Sequence, residues 1–200
     1  RQKEAVVREI DYGAFTFAIV DETPLGGRDA LLATGVSWSD FEAVVGFSDA
    51  VFDTSDPSSI RAAWDAIPAF RYADELGAGS DGRASLWVVQ FVGPIQDVWL
   101  ERLTASGADV IHYVPSNAYV VSVRAGSRAS FEAFRRDAAV QWSGVYQPWW
   151  KLAPAMRRAS FDGRDLVPVV VQALIDGGAA DLERLFLDAG LPRLSDTEDV

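Results

Sequence analysis

Apolar and polar positions follow two different periods in the middle of the chain, and these periods predict strands and helices. A continuous apolar run from Leu86 to Val92 is typical of a buried strand. Gly93 and Pro94 end that run, and Pro94 suits the first turn of a helix. Apolar residues then recur three and four positions apart, at Ile95, Val98, Trp99 and Leu103. This spacing predicts a helix with one apolar face, and we expect it to end at Gly107.

The sequence that follows predicts three more strands and a second helix. Strands are expected over residues 109–114, 118–123 and 140–146, with a turn at Pro115-Ser116-Asn117. Ser127 is expected to cap a helix that carries Phe131 and Phe134. The resulting order, β-α-β-β-α-β, is the ferredoxin-like or split βαβ pattern. We therefore predict an α+β, ferredoxin-like domain over residues 84–152.

An internal repeat predicts a partial second copy of this unit over residues 164–200. Val88-Val89-Gln90 and Leu100-Glu101-Arg102-Leu103 recur 82 positions later, as Val170-Val171-Gln172 and Leu182-Glu183-Arg184-Leu185. The second copy has room for only one strand and one helix before Val200. Because a lone strand and helix cannot bury their apolar faces, this copy must pack on the first or be completed by further sequence.

Residues 1–80 predict an α/β extension with weaker signals. A strand is expected over Ala14–Val20, a short helix over Arg28–Ala33, and a second helix that begins at Asp56. The stretch from Gly77 to Gly82 is rich in turn-forming residues and is expected to link the extension to the next domain.

Composition excludes several classes of function. The chain has 200 residues, of which 49% are apolar, so it can bury a sizeable core. It has no Cys and one His, which excludes a disulfide scaffold and a metal centre of several histidines. The net charge of -11 argues against a nucleic-acid partner. The sequence shows neither a membrane-spanning stretch nor a signal peptide, and since it begins at Arg1 we expect a processed piece of something longer.

Several motifs resemble chemical sites, but their contexts favour structural roles. Gly77, Gly79 and Gly82 have the spacing of a dinucleotide-binding loop, yet they precede a predicted strand instead of opening a helix. His112 lies in a predicted strand, and the Ser48 segment lacks the second glycine of a nucleophile elbow. Asp49, Asp53 and Asp56 lack the spacing of a calcium loop and favour turn and helix-cap roles, and no pair of carboxylates stands out for glycoside chemistry.

Aromatic residues are concentrated near the end of the last predicted strand, at Trp142, Tyr146, Trp149 and Trp150. Such a group can stack on a sugar or a peptide. Aromatics at a strand end more often belong to a core or to the edge of a protein interface. Both interpretations remain open from sequence alone.

Residues 86–151 resemble the propeptide-type regions that precede the catalytic domain of secreted subtilisin-like serine proteases. Three motifs carry the resemblance: Gln90-Phe91-Val92-Gly93-Pro94; Tyr113-Val114-Pro115-Ser116-Asn117-Ala118-Tyr119; and Val145-Tyr146-Gln147-Pro148-Trp149-Trp150-Lys151. The segment from Glu9 to Phe17 is similar to the opening of such regions. The resemblance implies a ferredoxin-like fold without a cofactor, and it implies a secreted protein that packs on its own precursor's protease domain, helps it fold and inhibits it.

Partner-binding residues are predicted at two places, the first from the concentration of aromatics and the second from the family resemblance. One is the aromatic group Tyr146, Trp149 and Trp150. The other is the tail Thr197, Glu198, Asp199 and Val200, which would lie in the substrate cleft if Val200 is a cleavage end. The peptidase signatures are absent, so we expect no enzyme activity of this chain. From the net charge and the lack of a membrane-spanning stretch, we expect neither a nucleic acid nor a membrane as partner. The alternatives are an accessory interaction domain of a large secreted protein, and an enzyme of unknown type.

Overall fold

The structure is a computed structural model, and it describes residues 5–27, 29, 43–47, 50–66, 84–153, 156, 183–184 and 186–188. The chain divides into two compact units, Arg1–Arg157 and Arg158–Val200. The strands formed by the described residues of the first unit are β1 (Val6–Asp11), β2 (Thr16–Val20), β3 (Val44–Phe47), β4 (Ala50–Asp53), β5 (Ser85–Phe91), β6 (Ala108–Val114), β7 (Ala118–Val123) and β8 (Val140–Val145). In the same ranges the structure has the α-helices α1 (Pro57–Asp65), α2 (Asp97–Ala105) and α3 (Arg128–Phe134), and short 3-10 helices at Thr23–Leu25, Ala125–Ser127 and Pro148–Lys151.

The centre of the first unit is a four-stranded sheet in the order β6-β7-β5-β8. Every neighbouring pair is antiparallel. Val88 in β5 lies opposite Val120 on one side and Gly144 on the other, so β5 and β7 are the central strands. The predicted α+β class is confirmed, and the strands and helices of residues 84–152 occur in the predicted order.

One face of this sheet packs against helices α2 and α3. Strands alternate their side chains between two faces, so every second residue of β5 points to this side, from Trp87 to Phe91. The buried residues of this helix-side core are Trp87, Val89, Phe91, Val92, Trp99, Leu103, Ala108, Val121, Val123, Phe131, Phe134, Ala139 and Val145. The spacing of Trp99 and Leu103 places both on the inner face of α2, as the sequence predicted, whereas Val98 is exposed.

The opposite face is covered by an earlier part of the chain. Strands β3 and β4 form an antiparallel hairpin, which Thr54, Ser55 and Asp56 connect to α1, and we call β3, β4, these three residues and α1 together the strap. The strap-side core contains Val45, Phe47, Phe52, Val88, Val114, Ala118, Val120 and Trp150. The extension and the sheet therefore share a core within one unit. The sequence did not predict β3 and β4, because each has only four residues.

A second hairpin, β1 and β2, lies beside the segment that connects β5 to α2. Its first strand was not predicted, while β2 lies within the predicted strand at residues 14–20. Ile10 and Tyr12 pack against the helix-side core. The hairpin therefore closes one end of that core.

Helices α1 and α3 both begin directly after the residues predicted to cap them, but only α1 has the side-chain cap. The Asp56 side chain accepts a hydrogen bond from the Ser58 backbone N–H at 2.8 Å, which caps α1. The prediction that Ser127 caps α3 by its side chain is wrong. The 3-10 turn Ala125–Ser127 runs directly into α3, so Ser127 lacks the extended backbone of a capping residue and makes no such bond.

Several predictions fall wholly or mainly outside the described residues. They are the helix at Arg28–Ala33, the linker at Gly77–Gly82 and the repeated strand at 170–172. In the second unit, Glu183 and Arg184 and residues 186–188 are helical, which agrees with the predicted second helix there. The three-part division into 1–80, 84–152 and 164–200 stays a prediction.

Candidate functional site

The Tyr113–Tyr119 motif builds the tight turn between β6 and β7. Ser116 and Asn117 both have positive φ, at 66° and 60°, which is the backbone of a hairpin turn that twists with its strands. The carbonyl of Asn117 accepts a hydrogen bond from Phe91 N–H at 2.8 Å. The rings of Tyr113 and Tyr119 pack edge to face at 5.5 Å. The motif therefore attaches the turn to the end of β5.

Gln90 joins that turn to the strap through a buried amide. Its Nε2 donates to the Ser116 carbonyl at 3.0 Å, and its Oε1 accepts from the Thr54 hydroxyl at 2.5 Å. Thr54 Oγ1 also lies 2.7 Å from the Ala43 carbonyl oxygen. Because buried polar groups are costly without partners, these bonds fix both the amide and the strap in place.

Gly93 and Pro94 contact the β1–β2 hairpin. The Tyr12 hydroxyl donates to the Pro94 carbonyl at 2.5 Å, and burial raises the pKa of Tyr12 above its ordinary value. A Cβ at Gly93 would lie 3.3 Å from both the Phe17 ring and the Tyr12 hydroxyl, so the hairpin packs closely against this backbone. The first motif and the Glu9–Phe17 segment, which the resemblance singled out separately, are thus in contact.

The predicted partner-binding aromatics lie beneath the strap. We define the aromatic cluster as Phe47, Phe52, Trp142, Tyr146 and Trp150. Phe47 stacks on Trp150 at 4.9 Å and packs edge to face on Tyr146 at 5.1 Å. Phe52 meets Trp142 at 5.4 Å and Trp150 at 5.7 Å. Trp149 is partly buried against the same core.

Within the described residues, these aromatic side chains belong to or pack against the chain's own strap-side core, which is the core interpretation of the sequence. Trp150 is only 3% exposed, and the Tyr146 hydroxyl donates to the Trp150 carbonyl at 3.2 Å. Tyr146 and Trp149 are half-buried. The next residue, Lys151, is exposed, and partial desolvation lowers the pKa of its ammonium group. The other predicted partner-binding residues, Thr197, Glu198, Asp199 and Val200, lie outside the described residues.

Strand β6 presents an apolar edge that sequence reasoning missed. It pairs with β7, and in the described part of the chain its other side has no strand neighbour. Val110, Ile111 and Tyr113 are 41%, 38% and 52% exposed. The register shifts between Val110 and His112, which marks Ile111 as a bulge of the kind that protects edge strands. Three apolar residues within four positions of a strand could have signalled this edge.

Of the residues considered for chemistry, Ser48, Asp49, Gly77, Gly79 and Gly82 lie outside the described residues. His112 is exposed on β6, Asp53 accepts hydrogen bonds from Ser55, and Asp56 caps α1. Among the described residues no three His, Cys, Asp or Glu side chains are grouped to hold a metal. No helix in those same ranges is long and apolar enough to cross a membrane. A cleft of ≈ 370 Å³ between β1 and α2 is lined by charges of both signs, among them Arg8, Glu9 and the ion-paired Arg102 and Asp137.

Comparison with known families places the chain in one of them. The sequence model of a family described as "Domain of unknown function (DUF8729)" matches residues 47–147, about half of the chain, and the chain belongs to that family. The matched range begins in the strap and continues through β8. The family domain thus includes most of the strap together with the sheet. No curated protein and no solved structure matches the chain.

Proposed function

We propose that the chain is a non-catalytic pro-region of a secreted subtilisin-like serine protease. In this role it assists folding of the protease domain of the same precursor and inhibits it. One observation supports the proposal: the three sequence motifs that resemble those of such regions all contact the same four-stranded sheet. The first and second motifs meet through Gln90 and Ser116, and the third covers one sheet face with Trp150.

The strand order supports a ferredoxin-like fold for residues 84–152. In that fold, two split βαβ units interleave and place both helices on one face of the sheet. Helices α2 and α3 both contribute to the helix-side core, and the order β6-β7-β5-β8 is the interleaved one. The fold is part of the proposal because it is what the resemblance implies.

Binding explains how such a domain can act on a protease without chemistry of its own. A domain that binds the native protease, and not its unfolded chain, stabilises the native state by mass action. Within the described residues β6 has no second strand neighbour, and its exposed Val110, Ile111 and Tyr113 offer an apolar surface to the partner. The tail from Thr197 to Val200 is proposed to enter the substrate cleft.

The test is to refold the protease domain of the precursor with and without this chain, and to add the chain to the mature enzyme. In the refolding experiment we expect the chain to raise the yield of active protease. In the second experiment we expect one equivalent of the chain to abolish peptide hydrolysis by the mature enzyme. A variant that ends before Thr197 separates the two effects, since it should keep the folding effect and lose inhibition. An unchanged yield together with unchanged hydrolysis would refute the proposal.

A second function, an accessory interaction domain with no inhibitory role, is favoured by the strap. Because the chain covers the second sheet face with its own residues, the sheet has both faces packed in the absence of a partner. A chain that folds cooperatively alone, and leaves the protease active and its refolding unchanged, would favour this function.

A further inference from the structure

The cleft between β1 and α2 contains a positive charge that the described chain does not neutralise. Arg8 lines this cleft and is half-buried. Its Nη1 donates to the Gln141 side-chain Oε1 at 3.4 Å, which is a long bond to a neutral amide. In the part of the chain that the structure describes, no carboxylate pairs with this guanidinium. Because a charge withdrawn from water is costly without an opposite charge, an anion beside Arg8 would be stabilised there.

The carboxylates of β1 itself lie on the other face of that strand. Side chains alternate along a strand. Ile10 packs against the helix-side core, so Arg8 lies on the same inner face. Glu9 and Asp11 are exposed and belong to the outer face. Asp11 Oδ1 accepts a hydrogen bond from the Gly13 backbone N–H at 2.7 Å. These two carboxylates therefore do not neutralise Arg8.

The third carboxylate of the cleft belongs to an ion pair that is already complete. Asp137 Oδ2 lies 2.6 Å from Arg102 Nη1. The other oxygen of Asp137 accepts from the Ala139 backbone N–H at 2.9 Å. Asp137 is thus held by Arg102 and by the backbone. Among the described residues that line the cleft, Arg8 is the guanidinium left for a ligand.

We propose that this cleft binds a monocarboxylate with an apolar body, and that Arg8 recognises the carboxylate. A guanidinium offers two parallel N–H groups that match the two oxygens of a carboxylate. The cleft volume of ≈ 370 Å³ is that of a small-molecule site, so it admits an apolar acid or the last residue of a peptide. The apolar residues of the lining, which can cover the body of such a ligand, are Ile10, Val92, Trp99, Ala138 and Ala139. The site does not depend on the proposed function.

The charges around Arg8 disfavour anions of higher charge. Glu9, Asp11 and Asp137 also line the cleft, and the chain has a net charge of -11. Because Coulomb repulsion grows with the charge of the ligand, a phosphate dianion meets about twice the repulsion that a carboxylate meets. The expected ligand therefore carries a single negative charge.

Isothermal titration calorimetry of the full chain with N-acetylphenylalanine tests the site, because this probe has one carboxylate and an apolar ring. We expect it to bind more tightly than inorganic phosphate and than its own amide, which lacks the charge. Arg8→Gln should weaken binding of the acid by about tenfold or more. Arg136→Gln is the matched control and should bind like the wild type, since Arg136 is exposed and does not line the cleft. No binding of the acid, or equal binding of acid and amide, would overturn the proposal, as would equal binding by the wild type and Arg8→Gln.

The stability of the free chain separates ligand binding from a structural role of Arg8. Since the guanidinium has no carboxylate partner among the described residues, Arg8→Gln should leave the urea midpoint unchanged or raise it. A lowered midpoint would mean that Arg8 stabilises the fold through Gln141, and it would overturn the proposal. A tetrapeptide that ends in phenylalanine then identifies the source of the carboxylate. Tighter binding of the peptide than of N-acetylphenylalanine would support a peptide C-terminus as the ligand, and weaker binding would support a free acid.

Discussion

Gly107, between α2 and β6, shows how one residue determines a connection. Its φ is +84°, and a Cβ there would lie 2.1 Å from Ser127 Oγ. Gly107→Ala should therefore destabilise the chain by more than the roughly 1–2 kcal/mol of a left-handed residue, measured as a shift of the urea midpoint. Gly126→Ala is the control, since nothing lies within 4 Å of that Cβ, and it should stay within about 0.5 kcal/mol. If adding Ser127→Gly to Gly107→Ala restores part of the lost stability, the contact with Ser127 is the cause. A Gly107→Ala variant as stable as the wild type would contradict this explanation.

The hydroxyl of Thr54 is expected to have a large effect on the free energy of unfolding. Its hydroxyl donates to the Gln90 amide oxygen, and both residues are buried, at 7% and 1% exposure. Thr54→Val should cost about 1–3 kcal/mol of unfolding free energy, because it leaves a buried acceptor without its donor. Thr104→Val, at an exposed site on α2, makes the same chemical change and should be nearly neutral. Equal effects of the two substitutions would show that the buried bond is unimportant.

At the scale of elements, the cap of α1 predicts a dependence on pH. Hydrogen bonds from the side chain and backbone of Ser58 lower the pKa of Asp56 below its ordinary value of 3.8. The ionised cap therefore contributes stability that is present above pH 3.8 and is lost as the pH falls through the lowered pKa. Asp56→Asn keeps a good cap without the charge. We expect this variant to be less stable than the wild type at pH 7 and equal to it at the lowest pH.

Urea denaturation at several pH values measures this difference. Asp56→Ala removes the acceptor as well as the charge, so it should remain less stable than the wild type throughout the range. A gap between Asp56→Asn and the wild type that persists at the lowest pH would show that the carboxylate charge is not what stabilises α1.

The elements differ in how well the sequence predicts them, and the reasons are local. Residues 84–152 were predicted in order because each apolar run there ends at a strong turn signal, such as Gly93-Pro94 or Ser116-Asn117. Strands β3 and β4 were missed because each has four residues and the sequence between them, Ser48-Asp49, contains no glycine. The role of Trp150 could not be decided from sequence, since its partners Phe47 and Phe52 lie about a hundred positions earlier.

At the scale of the whole molecule, the two cores on opposite sides of one sheet predict how the chain can be divided. A fragment of residues 84–153 keeps the helix-side core but loses Val45, Phe47 and Phe52 from the strap-side core. Its uncovered face would present Val88, Val120 and Trp150 to water. Full burial of one such apolar side chain contributes about 1.5–3 kcal/mol to the free energy of folding, so this exposure is costly.

We therefore expect this fragment to bind anilinonaphthalene sulfonate and to self-associate in sedimentation, whereas a chain of residues 1–157 does neither. The longer chain is the control, because it retains the strap and forms one compact unit. A fragment that is monomeric, free of dye and as stable as the longer chain would show that residues 84–152 fold independently, as the sequence alone predicts. Self-association of the fragment would instead mean that the strap is part of the folded domain. That result agrees with a family match that begins at residue 47, inside the strap.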